Sequence, residues 1–110
     1  MKKFENKVVL VTGAGGGLGH AIAVAFAKKG AKLALVDLKE EFLNKVKADV
    51  EALGAETLTF GGDVSDYETV RNIFQDTAKK LGSVDVACNN AGVVGIGSIE
   101  ELTTKNGTVY

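Results

Sequence analysis

Residues 8–19 read Val-Val-Leu-Val-Thr-Gly-Ala-Gly-Gly-Gly-Leu-Gly, and this stretch limits the fold more tightly than the rest of the chain. A continuous apolar run with β-branched residues describes a strand covered on both faces, and five glycines within seven positions end it. Glycines at that density are needed where the backbone turns through positive φ, or where something comes closer than a Cβ allows. Residues 18–29 follow with helix-forming alanines and with Leu18, Ile22, Ala25 and Phe26 on one face, so the glycine turn feeds a helix N-terminus. Unpaired N–H groups and the positive end of the helix dipole then point into the turn. That is an anion site suited to a diphosphate.

A strand-to-helix connection without a ligand would need one or two glycines rather than this cluster. A Walker phosphate loop ends in Gly-Lys-Ser/Thr, whereas Leu18-Gly19-His20 offers neither the lysine nor a hydroxyl for a metal. The spacing of Gly15, Gly17 and Gly19 also resembles the first motif of S-adenosylmethionine methyltransferases. Those usually carry a carboxylate just before the glycines, where Val11 and Thr12 stand here.

The 110 residues make one domain, with 45% hydrophobic and 25% charged residues, which are globular values. A formal charge of -1, with acids and bases interspersed, provides no broad basic field for nucleic acid or an anionic membrane. No apolar run approaches the roughly 20 residues of a transmembrane helix, and Met1-Lys2-Lys3 leads into Phe4-Glu5-Asn6 rather than the apolar core of a signal peptide. The lone Cys88 cannot form an internal disulfide. A reduced, cytoplasmic setting is the expectation.

Taken in order, the chain alternates strands and helices. Strands are expected at 7–12, 31–36, 56–60 and 84–88, and helices at 18–29, around Leu43, Val46, Val50 and Leu53, and around Val70, Ile73, Phe74 and Leu81. Gly30, Gly54 and Gly82 close the three helices, and Ser65 or Asp66 caps the third at its start. The weakly hydrophobic third strand belongs at a sheet edge. Residues 99–102 could begin a fourth helix, which Asn106-Gly107 would break. Crossovers of this length imply parallel, right-handed connections. The expected fold is an α/β, three-layer, Rossmann-like parallel sheet of order 3-2-1-4, ending after the fourth strand. Its binding crevice lies at the C-terminal end of strand one, beside Asp37, Asp63 and Asn89-Asn90.

Asp37 falls at the tip of strand two, 18 residues past Gly19, where an acidic side chain accepts both ribose hydroxyls of an adenosine. A 2′-phosphate there would meet like charge, which favours NAD over NADP. With the glycine turn, Thr12-Gly13-x-x-x-Gly17-x-Gly19, Asp37, Asp63-Val64 and Asn89-Asn90-Ala91-Gly92 make four motifs in register. Together they resemble the short-chain dehydrogenase/reductase family, classical type, over roughly residues 7–102. The likeness is to its N-terminal, NAD(P)-binding half.

That resemblance implies that Gly13, Gly15, Gly17 and Gly19 with the amide of Leu18 form the loop lining the cofactor phosphates. It puts Asp37 on the adenosine ribose, and Asp63 and Val64 on the adenine amino group and ring edge. Asn90, Ala91 and Gly92 lie along the ribose, and Asn89 ties strand four to its neighbours. NADP-preferring relatives often carry a basic residue just before the second family glycine; Gly16 stands there, again favouring NAD. His20 reads as an exposed helix residue, Cys88 as core packing and Tyr67 as a partly exposed early helix residue.

The family exchanges hydride between a nicotinamide and an alcohol or ketone carbon, with a tyrosine and a lysine of a Tyr-x-x-x-Lys motif and a serine as its acid-base machinery. Here Tyr67 is followed four positions on by Arg71, and Tyr110 is the last residue, so no catalytic residue and no metal site is carried over. Lys105-Asn106-Gly107-Thr108-Val109-Tyr110 also fails to continue a helix, and one restored base ahead of its codons lets them read Glu-Glu-Trp-Asn-Arg-Val. The expectation is an incomplete domain, 1–110, produced by truncation or frameshift, inactive alone and self-associating through an open sheet edge and an uncovered apolar face. The alternatives are a non-catalytic dinucleotide-binding module and a methyltransferase-like fold, the latter disfavoured by Thr12 and the Asn-Asn-Ala-Gly run.

Overall fold

The computed structural model describes residues 3–90 and the strand at 108–109. In chain order these form β1 (Val8–Thr12), α1 (Gly17–Lys28), β2 (Lys32–Asp37), a 3-10 turn (Glu40–Leu43), α2 (Asn44–Ala52), β3 (Thr57–Gly61), α3 (Tyr67–Lys80), β4 (Val86–Asn89) and β5 (Thr108–Val109). All pairings are parallel, and the sheet runs β3-β2-β1-β4-β5. The order 3-2-1-4 is the one the alternating pattern predicts.

Right-handed crossovers explain the layers. Two steps in one direction, β1 to β2 to β3, put α1 and α2 on one face; the return step to β4 puts α3 on the other. Val9, Val11, Leu33 and Leu35 accordingly pack with Leu43, Val46 and Val50, while Val8, Leu10, Ala34 and Val36 pack with Val70, Ile73 and Phe74. Every residue of β1 is buried, which is why its sequence is continuously apolar instead of alternating. β3 is only half-buried along most of its length and occupies the sheet edge, as its weak hydrophobicity suggests.

Two expectations need correction. The buried face of α1 is not Leu18, Ile22, Ala25 and Phe26 but Gly19, Ala23 and Ala27, while Leu18 is 66% exposed. Small side chains at i, i+4 and i+8 let the helix axis lie close over the sheet, and the larger apolar groups are pushed to the flank. Secondly, the sheet does not stop at the fourth strand. Thr108 and Val109 pair with Val86 and Ala87, so part of the expected open edge is occupied. The suggested helix at 99–102 lies outside the described residues.

Candidate functional site

The parallel register brings the C-terminal strand ends together. Thr12 lies beside Val36 on one side and Asn89 on the other, and Asp37 lies beside Gly61. The glycine loop, Asp37, Asp63 and Asn89-Asn90 therefore share one edge of the sheet, at the crevice the topology predicts.

Gly13, at φ 63, turns the chain out of β1 in a conformation open to glycine and costly for most other residues. Gly16 N–H donates to the Gly13 carbonyl at 3.2 Å, and Ala14 N–H donates to the Val36 carbonyl at 3.1 Å, which fastens the loop to β2. A Cβ on Gly19 would run into the Gly13 carbonyl and lie 2.8 Å from Ala14 Cα, because α1 crosses its own entry turn backbone to backbone. A Cβ on Gly15 would sit 2.5 Å from the Phe42 carbonyl oxygen and 2.8 Å from Asp37 Oδ2. Gly17 differs: a Cβ there meets nothing within 4 Å among the described residues.

α1 starts uncapped. Its N-cap is Gly16, which has no side chain, and its first turn holds no acidic residue. The first amide of the turn to find a carbonyl is that of His20, donating to Gly16 at 2.8 Å; those of Gly17, Leu18 and Gly19 have no acceptor among the described residues. Three unpaired donors at a positive dipole end form a ready cradle for an anion.

Asp37 is fixed beside that cradle. Its Oδ2 accepts from Gly15 N–H at 2.9 Å and its Oδ1 from Leu38 N–H at 2.7 Å, which aims the carboxylate while leaving each oxygen a further lone pair. The Gly15 amide is thereby engaged by Asp37 rather than left free. The segment beyond Asp37 is held to β3: Thr59 Oγ1 donates to Glu40 Oε2 at 2.7 Å, and Gly62 N–H donates to the Asp37 carbonyl at 3.0 Å. Leu38 is 62% exposed over the crevice rim.

Asp63 Oδ1 accepts from both the hydroxyl and the amide of Ser65, at 2.7 and 2.9 Å. Those hydrogen bonds hold its carboxyl below the usual carboxylate value, so it is charged at neutral pH. Val64 beside it is buried against α3. At the end of β4, Thr12 Oγ1 lies 3.2 Å from Asn89 Oδ1 and accepts from Asn90 N–H at 2.9 Å. Asn89 thus ties β4 to β1, as the sequence suggests, and Asn90 is placed at the crevice. Ala91 and Gly92 lie outside the described residues.

Of the remaining candidates, Tyr67 opens α3 and is 40% exposed, while Arg71 pairs with Glu68 at 3.0 Å. Cys88 is buried and burial pushes its thiol up, which removes it as a thiolate nucleophile. A groove of about 360 Å³ lies on the flank of α1 over β4, lined by Phe4, Ile22, Phe26, Cys88, Asn89 and Asn90. It shares Asn89 and Asn90 with the crevice. Sequence reasoning missed Asp49, which bonds His20; one turn after Lys45, it reads as an ordinary solvated helix charge. Among the described residues no helix is long and apolar enough to cross a membrane.

Residues 7–108 match the family described as short chain dehydrogenase. The chain belongs to that family. Curated relatives include an uncharacterized oxidoreductase of Thermotoga maritima, 39% identical over 103 residues, covering 94% of this chain and 40% of that protein. Another is the meso-2,3-butanediol dehydrogenase of Serratia marcescens, 42% identical over 101 residues, with 92% and 39% covered. Among solved structures, NAD+-bound xylitol dehydrogenase superposes with a TM-score of 0.79 at 40% identity, over 84% of this chain and 35% of that one. A short-chain dehydrogenase/reductase from Burkholderia phymatum in complex with NAD gives 0.85 at 28% identity, over 97% and 46%. The chain thus spans about 40% of the length of the curated relatives it matches.

Proposed function

We propose that this chain is the NAD-binding part of a short-chain dehydrogenase, an oxidoreductase acting between alcohol and ketone, and that alone it binds the dinucleotide without turning substrate over. The observation that carries this reading is the pairing of an uncapped helix end with a fixed carboxylate. Three free amides of Gly17, Leu18 and Gly19 meet an anion, and Asp37, held by the Gly15 and Leu38 amides, faces the same crevice. The space that the described residues leave at Gly17 fits a ligand that comes close to the backbone. NAD-bound relatives of the same fold support that assignment.

The residues divide the work by chemistry. The loop Gly13, Gly15, Gly17, Leu18 and Gly19 receives the diphosphate, the free amides donating and the dipole balancing its charge. Asp37 accepts from the adenosine ribose and repels a 2′-phosphate, so NAD is bound in preference to NADP. Asp63, with one oxygen committed to Ser65, accepts from the adenine amino group, and Val64 borders the ring. Asn90, Ala91 and Gly92 follow the second ribose. When bound, NAD supplies the nicotinamide that takes or gives the hydride. Neither Tyr67, paired in sequence with Arg71, nor Tyr110 completes a Tyr-x-x-x-Lys pair to protonate the substrate oxygen.

The reading extends to a reduced cytoplasmic setting, which a single free cysteine suits, and to self-association through the apolar groove beside α1. NADH fluorescence titration, run beside a dehydrogenase assay on a panel of alcohols, tests the core of it. Saturable binding with no turnover is expected. Turnover would make the chain an enzyme in its own right, and absence of binding would end the reading. Sedimentation showing a stable monomer would remove the self-association.

A further inference from the structure

His20 is the chain's one histidine, one residue past the last unpaired amide of α1. Its ring Nε2 bonds Asp49 Oδ2 of α2 at 2.8 Å, with the two side chains only 24% and 42% exposed. Lys45 Nζ, one turn earlier on α2, stands 4.0 Å from the same oxygen and is largely solvated. Beneath α1, β1 has no titratable side chain, and Asp37 at the tip of β2 is engaged with Gly15 and Leu38. Asp49 and Lys45 are therefore the charged groups that face the ring among the described residues.

The same α2 unit touches the loop at its other end. The Phe42 carbonyl, in the 3-10 turn leading into α2, packs so closely on Gly15 that a Cβ there would lie 2.5 Å away. Residues 15–20 are thus held at both ends by one body: backbone packing at Gly15 and a ring-to-carboxylate bond at His20. The three free amides lie between these anchors.

We propose that His20, acting through Asp49, is a positioning residue for the diphosphate. The bond keeps the amides of Gly17, Leu18 and Gly19 converging on one point. The inference rests on the dinucleotide reading above.

The test uses the full 110-residue chain. Calorimetric NAD+ titrations are combined with amide hydrogen exchange in the absence of cofactor, for wild type, H20A, H20Q, D49A and the H20A/D49A double variant. Expected are losses of roughly threefold to tenfold in NAD+ affinity for H20A and for D49A, with the double variant no worse than either. H20Q, whose side-chain amide still donates to Asp49, keeps most of the affinity. Without cofactor, D49A speeds exchange of the His20 amide. Unchanged exchange at that amide in D49A, or additive losses in the double variant, overturns the proposal. A wild type that does not bind NAD+ at all would sink the dinucleotide reading, and the exchange measurement would then decide the positioning role by itself.

Discussion

The inner and outer sides of the glycine loop are crowded by different things. On the inner side, Gly19 lies against the Gly13 carbonyl and Gly15 against the Phe42 carbonyl, so the absence of a side chain is explained by protein packing on protein. On the outer side, Gly17 meets nothing among the described residues and has no positive φ, so these residues give no reason for glycine there. Two residues on from one another, Gly17 and Gly19 carry the same residue type under different physical demands. A glycine-rich motif therefore mixes positions that build the site with positions that leave room in it. Substitution separates them, because the first kind costs stability and the second costs ligand.

Gly19→Ala carries the largest expected loss. Its Cβ would overlap backbone atoms that cannot rotate away, so α1 must shift off its entry turn, at about 3 kcal/mol. A melting temperature lower by on the order of 10 °C is expected in thermal denaturation. An unchanged melt would show that the inner side is less tightly packed than the geometry says. Gly15→Ala follows, at about 2 kcal/mol, since the obstructing Phe42 atom is also backbone while the Asp37 carboxylate can swing aside. Because that swing removes the bond from Gly15 N–H to Asp37, NAD+ affinity falls with stability in this variant.

Asp37→Ala lies between the two sides. The carboxylate accepts from two backbone amides, but in a half-exposed position, so its removal destabilises the fold by only about 1 kcal/mol. Its effect on ligand is larger in kind: NAD+ affinity falls roughly tenfold, and the preference over NADP+ narrows because the like charge is gone. Parallel titrations with the two cofactors check this. Equal losses for both would mean that Asp37 orders the loop without reading the ribose.

The strand order and the gathering of Asp37, Asp63 and Asn89 at one edge were legible because they depend on alternation and on the handedness of crossovers, which short-range patterns encode. The helix closings at Gly30, Gly54 and Gly82 were legible for the same reason. What hydrophobic periodicity misread was α1, where it favoured the large side chains of Ile22 and Phe26 over Ala23 and Ala27. Periodicity weighs apolar size, whereas a helix lying close over a parallel sheet selects for smallness. Asp49 stayed hidden because its partner His20 is 29 residues away and no local rule joins them. The pairing of Thr108 and Val109 with β4 is likewise long-range, and two residues carry too little pattern to signal a strand. In the loop itself the sequence marks five glycines alike; only the backbone around each one tells which are filled by protein.

Gly17→Ala has the smallest expected effect on the fold and makes the sharpest cut between the two sides. Position 17 opens α1, where alanine is the better helix former, and the added methyl meets no atom of the described residues within 4 Å. Stability should stay level or rise by up to about 1 kcal/mol, partly because the unfolded chain loses freedom it would have with glycine. The same methyl stands among the free amides of Gly17, Leu18 and Gly19, where a diphosphate must come within hydrogen-bonding distance. NAD+ affinity should then fall by roughly tenfold while the melt is unchanged or higher. A stable variant that binds NAD+ as tightly as wild type would mean that the diphosphate does not lie over the start of α1. A destabilised one would mean that the open space is filled in solution by the chain itself.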